Sequence, residues 1–386
     1  MPRETHRPPS TLDPRTVRIA LHATPSLSRP ALYRLAEEPD AWLGIDESPD
    51  RLAAAQGVPR TQMRRALAAL AEAQAAAGRE LEAAGRLGAR LIVRGDPDYP
   101  PALAHLALPP PVLAVLGELP IAPAVSIVGS RKADAYGIEV AELFARALAA
   151  AGVTVVSGFA RGIDAAAHRG ALAAPAGKTV AVLGCGLGVD YPAGHDRLGR
   201  EIAGRGALLS EFPCHLAPRA WHFPMRNRVI AALAAGTLVV QAAPRSGSLS
   251  TARWALDLGK EVWAIPGRIF DERALGPNAL IRDGAPLIQH PRDILETLVP
   301  SLSGPPEPLA GRAAADLPAA APDDGEPPPE GLAGAVLAAL PPGALRLPEE
   351  IAAALEVPVD QVLGALLDLE LAGRARRHPG SAYGRT

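Results

Sequence analysis

Six short apolar runs constrain this chain more than any other feature: "AVSIVG", "VTVVSG", "TVAVLG", "ALLSE", "TLVVQA" and "EVWAIPG" recur every twenty to thirty residues or so between positions 124 and 267. Helical stretches such as "IEVAELFARALAAAG" and "NRVIAALAAG" lie between them. Continuous Val/Ile/Leu runs fit strands covered on both faces. Regular alternation with helices predicts an α/β fold built on an extended, Rossmann-like, doubly wound and mostly parallel sheet. Ligands of that architecture sit beyond the carboxyl ends of the strands.

The rest of the chain reads differently. A length of 386 residues implies two or three domains. Residues 1–95 carry amphipathic helical patterns, such as "RPALYRLAE" and the long "TQMRRALAALAEAQAAAGRELEAAGRLGARLIV". They predict a small helical domain of the SAM or helix-hairpin-helix kind, with packing or dimerisation as its plain role. The sheet domain is placed at 96–300. Residues 301–330, rich in proline, alanine and acid, predict an extended linker. Residues 331–386 read as three helices followed by "GRARRHPGSAYG", the outline of a winged helix with its hairpin.

Composition excludes more than it assigns. A hydrophobic share of 48% supports a packed core, and the formal charge of −2 means that any nucleic-acid role rests on local basic patches. Two cysteines give no disulfide framework, and no metal-ligand spacing occurs, so no metal or cofactor is expected. "MPRETHRPPSTLDPR" lacks an apolar signal region and no apolar run reaches membrane-spanning length, so a cytoplasmic protein is expected.

The strand ends carry the chemistry. The first ends in Gly129-Ser130-Arg131, and the second runs into Ser157, Gly158, Phe159, Arg161, Gly162, Asp164 and His168. The third has Gly184, Gly186 and Gly188, the fourth Ser210-Glu211, and the fifth Arg245, Ser246, Gly247, Ser248 and Thr251. Glycine lets backbone N–H groups approach a ligand, helix N-termini favour anions, and arginine and hydroxyl groups complete such sites. The pattern predicts a row of phosphate sites along one sheet edge. In "HFPMRNRVIAAL", Pro224 suits a helix's first turn, so Arg226 and Arg228 would oppose the macrodipole. An anionic ligand explains that placement, or a structural ion pair of one of them with Glu211 or Asp164. Phe159, Tyr136, Trp221 and Phe223 are candidate stacking surfaces for bases, and each also suits a core.

Catalytic signatures are sparse. There is no P-loop, and "GSRKADAYG" is not a dinucleotide fingerprint. Asp164 and His168, four apart on a helix, read as a structural pair before an acid–base pair. Cys185 reads as a small residue filling a tight turn before a reactive thiol.

Taken together, "SIVGSRKADAYG", "VVSGFARGIDAAAHRGAL", "TVAVLGCGLGVDYPAGHDRL", "LLSEFP", "HFPMRNRVIAAL", "SGSLSTARWAL" and "VWAIPGRIFDERALGPNALIRDGAPLI" resemble the DNA processing protein A (DprA) or Smf family over roughly residues 95–300. The resemblance implies a homodimeric, non-catalytic protein that binds single-stranded DNA and loads the RecA recombinase onto it in natural transformation. It implies Arg131 as the leading phosphate ligand. Gly129, Ser130, Ser157, Gly158, Arg161, Gly162, Phe223, Arg226, Asn227 and Arg228 would form the pocket, and Ser246-Gly247-Ser248 with Asn278 would close it. The sequence departs from the family at Ala193, where many relatives place a lysine after Tyr-Pro. The alternative is a nucleotide-binding or nucleotide-hydrolysing enzyme of the related phosphoribohydrolase-like group. Its "PGGxGTxxE" loop would correspond to "SGSLSTARWA", where Arg253 and Trp254 stand in place of the acid. The helix of the C-terminal segment that would enter a DNA groove carries Asp360, Asp368 and Glu370 and no Lys or Arg, which predicts a protein-contact role.

Overall fold

The structure, a computed structural model, describes residues 12–24, 26–43, 47–120, 123–298, 331–340, 345–372, 374–377 and 382–385. The 301–330 linker lies outside the described residues. The chain divides into two compact units, Met1–Gly304 and Pro305–Thr386.

Eight strands form the sheet of the first unit: β1 (Arg90–Val93), β2 (Val112–Gly117), β3 (Ala124–Val128), β4 (Thr154–Ser157), β5 (Thr179–Leu183), β6 (Ala207–Ser210), β7 (Gly236–Val239) and β8 (Glu261–Ala264). Their order across the sheet is β1-β2-β6-β5-β4-β3-β7-β8. The six strands from β6 to β8 are mutually parallel, and β1 and β2 extend the edge antiparallel. The expected doubly wound sheet is therefore present, with two strands more than the six apolar runs announced. One of them, β1, is the "LIV" that ends the long helical pattern; that helix stops at Arg86, and Gly88 (φ +69°) turns the chain into the edge strand.

Strand side chains alternate between two cores. Val128, Val156, Val180, Val182 and Val239 pack with Val229 and Ile230 of helix His222–Leu233 and with Ala252 and Ala255 of helix Ser248–Asp257. Val125, Ile127, Val155 and Leu238 pack on the other face with Phe144 and Leu148 of helix Ala135–Ala150 and with Ile163 and Ala167 of helix Ile163–Ala173. Burial on both faces is why these strands lack polar alternation.

Five helices precede the sheet: Pro14–His22, Arg29–Glu37, Pro49–Ala55, Arg60–Ala71 and Ala73–Arg86. They enclose their own core of Val17, Leu21, Leu32, Leu35, Trp42, Met63 and Leu70. Buried hydrogen bonds tie them to the sheet. The Tyr33 hydroxyl donates to Glu211 Oε2 at 2.7 Å, and the Cys214 amide donates to Glu80 Oε1 at 2.7 Å.

In the second unit, helices Leu332–Ala338, Pro348–Leu355 and Val359–Leu371 pack around Val336, Ile351, Val362, Leu366 and Leu369. Strands β9 (Leu345–Arg346), β10 (Ala375–Arg377) and β11 (Tyr383–Arg385) form an antiparallel sheet in the order β10-β11-β9. This is the expected winged helix.

Candidate nucleic-acid interface

The strand order reverses at β3. The chain runs from β3 through β4 and β5 to β6 on one side, then returns to place β7 and β8 on the other. The loops leaving β3 and β7 diverge at that point and open a crevice, which is where ligands of doubly wound sheets bind. Here the crevice is a cleft of about 720 Å³. Its walls are Gly129–Lys132 after β3, Ser246–Ser248 after β7, and Ala220, Phe223, Pro224, Arg226 and Asn227 of helix His222–Leu233 and its approach. Val128, Ala160, Asp164, Tyr191, Ile230 and Thr251 complete the lining, so one buried carboxylate borders the same cleft.

Arg131, like Lys132 beside it, is an exposed cation of this cleft. Its guanidinium carbon stands 4.7 Å from the centroid of the Phe223 ring, and it forms no ion pair with any carboxylate among the described residues. Phe223 is seated by Gly184, whose missing side chain leaves room for the ring: a Cβ there would lie 2.8 Å from a ring carbon. Tyr191 flanks the same ring at 5.4 Å. A stacked cation above an aromatic face in an open cleft suits a phosphate beside an unpaired base.

Arg226 forms the buried floor. It donates to the Gly158 carbonyl at 2.6 Å and to the Val182 carbonyl, and burial lowers its pKa to about 10, with Asp164 opposing the shift. Burial likewise raises the pKa of Asp164, with Arg226 opposing. Gly158 exists for this packing, since a Cβ there would sit 2.6 Å from Asp164 Oδ2 and 2.8 Å from Arg226 Nη2. Asn227 donates to the Gly247 carbonyl at 3.1 Å and to Ser250 Oγ at 2.8 Å, fixing the loop after β7. Within that loop the Ser246 and Ser248 hydroxyls are bonded at 2.7 Å.

The cleft thus gathers Gly129, Ser130, Arg131, Phe223, Arg226, Asn227, Ser246, Gly247 and Ser248. It does not gather the others. Ser157 is fully buried and donates to the Ile127 carbonyl at 2.6 Å. Phe159 is a core residue, edge-on to His195 at 5.2 Å. Arg161 is exposed outside the lining. Gly162 (φ +77°) packs the loop after β4 under the loop after β3, where a Cβ would collide with the Ser130 carbonyl at 2.2 Å. Asn278 exchanges two hydrogen bonds with the Gly267 backbone, away from the cleft. Several glycines therefore serve close packing within the protein rather than bare amides facing a ligand.

Arg228 takes the structural role foreseen for one of the two helix arginines. It is buried, pairs with Glu211, and bonds the Tyr33 hydroxyl at 3.0 Å and the Leu108 carbonyl at 2.9 Å. Burial works against its charge, yet Glu211 and Tyr33 raise its pKa above the ordinary value. The helix begins at His222, so Pro224 lies in its first turn as expected, but Arg226 and Arg228 fall in the second turn, where the macrodipole argument no longer applies to them. Thr251, named with the loop after the fifth apolar run, does line the cleft, whereas Lys132 and Tyr191 line it and were not singled out as contacts. The "SRK" pairing was the available signal for Lys132; nothing local points to Tyr191.

The residues weighed for catalysis have other partners. His168 Nδ1 bonds Thr179 Oγ1 at 2.7 Å, and that hydroxyl donates to the Val155 carbonyl, so the ring is a neutral Nδ1–H donor. Its pKa is lowered to about 3 by burial. Burial pushes the Cys185 thiol up to about 11. No cluster of metal-ligating side chains occurs among the described residues.

An arginine-bearing cleft at the switch point of a doubly wound sheet, in a chain that also carries a winged helix, is the architecture of an α/β protein of the nucleic-acid-handling kind. The model of the DNA recombination-mediator protein A family matches residues 90–299, and that of the DprA winged helix domain matches 318–381. The chain is 42% identical to Protein Smf of Escherichia coli over 285 residues, 73% of this chain and 74% of that one. It is 38% identical to the putative DNA processing protein DprA of Mycobacterium tuberculosis over 374 residues, 90% of this chain and 92% of that one. The crystal structure of DNA processing protein A from Streptococcus pneumoniae superposes with a TM-score of 0.64 at 31% identity, covering 74% of this chain and 98% of that one. The chain belongs to the DNA recombination-mediator protein A family, the DprA or Smf proteins.

Proposed function

We propose that the protein binds single-stranded DNA in the cleft after β3 and β7, without catalysis, and hands the strand to the RecA recombinase. The observation that carries this reading is Arg131: an exposed guanidinium that forms no ion pair among the described residues and is stacked on Phe223 in an open cleft, with Asp164 of the same lining acting on it only through space. Sequence-independent strand binding needs phosphate contacts and a few stacking faces. Arg131, Lys132 and Phe223 offer both, and Gly129, Ser130 and the Ser246–Ser248 loop frame them. Ser157, Gly158, Phe159, Gly162, Arg226 and Arg228 support the cleft from beneath or beside it. No helix among the described residues is long and apolar enough to cross a membrane; a cytoplasmic location is part of the proposal. A homodimer is part of the proposal; Ile269 and Phe270, 72% and 96% exposed, are apolar side chains open to such a contact.

Fluorescence anisotropy with a labelled oligonucleotide over a salt series tests the reading. Wild type should bind single strands with an affinity that rises with length and falls steeply with salt. Arg131→Ala should bind more weakly, with a salt slope smaller by about 1. Equal binding by both proteins would remove the cleft from the mechanism. Release of free base from a nucleotide by the purified protein would favour the hydrolase alternative.

A further inference from the structure

A second groove, of about 390 Å³, lies where the N-terminal helices meet the segment leading into helix His222–Leu233. Ser26–Pro30, Gln62 and Arg65 form one wall, and Leu216, Arg219, Trp221 and His222 form the other. Three arginines line it, and no carboxylate does.

Arg29 is the anomaly. It is only 6% exposed, yet its guanidinium makes no hydrogen bond and no ion pair among the described residues. One flat face lies 5.2 Å from the Phe212 centroid, a contact that engages the face of the guanidinium and not its in-plane N–H donors. Glu211 and Glu80 act on it only from beyond ion-pairing distance, and burial pulls its pKa below the ordinary value. Buried charges are normally paired because desolvation is otherwise uncompensated. Arg228, a few residues of packing away in the same network, shows the usual solution by bonding Glu211 and Tyr33. Arg65 supports the same wall, donating to the Ser26 carbonyl at 2.9 Å. Arg219 is exposed.

The groove is continuous in sequence with the cleft. Ala220 and Phe223 line the cleft, and Arg219, Trp221 and His222 line the groove. Trp221, 49% exposed, lines the groove and lies in sequence between Ala220 and Phe223 of the cleft.

We propose that the groove of Arg29, Arg65 and Arg219 binds a second phosphodiester of the strand held at Arg131, with Trp221 as the stacking face between the two sites. This rests on the strand-binding reading of the cleft and extends it onto the N-terminal helices. Arg29 is then buried without a hydrogen-bonded or ion-paired partner among the described residues because its anionic partner is the ligand.

The test uses the full chain with oligothymidylates of about 6 and about 20 nucleotides, short and long against common site sizes. Arg219→Ala, an exposed change that spares the fold, leaves the short oligomer's affinity unchanged. It weakens the long one on the order of tenfold and lowers its salt slope by about 1. Arg29→Met gives the same pattern. Without DNA its melting temperature equals or exceeds that of wild type, because an unpaired buried charge has been removed. Should Arg29→Met fail to fold, the proposal loses the claim that the charge is unpartnered, and Arg219→Ala alone decides the strand path. If both variants match wild type on the long oligomer while Arg131→Ala does not, the groove has no part in binding and the cleft reading stands. If wild type binds neither oligomer, both fall. If thymidine monophosphate raises the wild-type melting temperature but not that of Arg29→Met, and oligomer length makes no difference, the groove holds a free phosphate and the strand proposal is overturned.

Discussion

The Arg131 guanidinium lies over the Phe223 ring at 4.7 Å, and the two side chains come from elements 92 positions apart in sequence. The ring holds the cation at the cleft mouth without neutralising it. Phe223→Leu keeps an apolar filler against Gly184 but removes the π-face. Its expected effect is a loss of about 1–3 kcal/mol in single-strand affinity, with the salt slope unchanged because no charge is lost. Arg131→Ala should show the opposite signature, a reduced slope. Anisotropy titrations of both variants at several salt concentrations separate stacking from phosphate contact.

The Arg228–Glu211–Tyr33 cluster should matter for stability and not for the ligand. Glu211→Gln removes the charge that compensates buried Arg228 and should cost about 3–5 kcal/mol. Tyr33→Phe should cost about 1 kcal/mol, the value of one hydrogen bond. Arg228→Met combined with Glu211→Leu should recover most of the loss, since replacing a buried pair by apolar side chains is often neutral. Urea unfolding measures all three. A Tyr33→Phe variant that folds normally but has lost strand affinity would show the cluster to be part of the site.

Acid should weaken the fold through its buried histidines. His168 titrates near 3 and His222 near 4 in the folded chain, both lowered by burial from about 6.5. Between about pH 6.5 and pH 4 the unfolded chain takes up protons that the folded chain refuses, so stability rises with pH in that window. It is fully present above about pH 7 and falls on acidification. His168→Gln can still bond Thr179 and carries no titrating ring, so its unfolding free energy should change less between pH 7 and pH 5 than that of wild type. Denaturant titrations at the two pH values provide the comparison.

Ala193 is exposed beside Tyr191, whose ring borders the cleft. Ala193→Lys restores the basic residue expected from the family resemblance. It should raise single-strand affinity several-fold and steepen the salt slope by about 1, with no change in melting temperature. An unchanged slope would mean that the strand does not pass this loop.

What was legible in the sequence follows from how local each signal is. The parallel strands were readable because burial on both faces writes itself as unbroken Val/Ile/Leu runs. β1 was hidden because "LIV" continues a helical pattern, and only its pairing with β2 makes it a strand. Gly129, Arg131, Phe223 and Ser246–Ser248, which line one cleft, were picked out in the sequence because each stands at an element boundary. The separation of Arg226 from Arg228 was not, because two positions along a helix place side chains on different faces, and the partners Gly158 and Glu211 come from distant loops. Arg29 was invisible for the same reason: its lack of a partner is a property of packing, not of sequence.

The second helix of the winged-helix motif, Val359–Leu371, makes the last case. Val359, Leu363 and Leu367 are 36%, 44% and 54% exposed and recur every four residues, so they form one uncovered apolar stripe. Asp360, Asp368 and Glu370 lie on the same helix, and it carries no Lys or Arg. A groove-reading helix meets phosphates on both sides, so this one would be repelled from duplex DNA, whereas an apolar stripe edged by acids suits a protein surface. The segment 331–386, which encloses its own core, should fail to shift duplex DNA in a gel at physiological salt. Deleting it from the full chain should leave single-strand affinity within about twofold, since the cation–aromatic pair at Arg131 lies in the other unit. Tight duplex binding by the isolated segment would overturn the protein-contact assignment, and Leu363→Glu with Leu367→Glu would then be expected to weaken it further by adding two charges of the wrong sign.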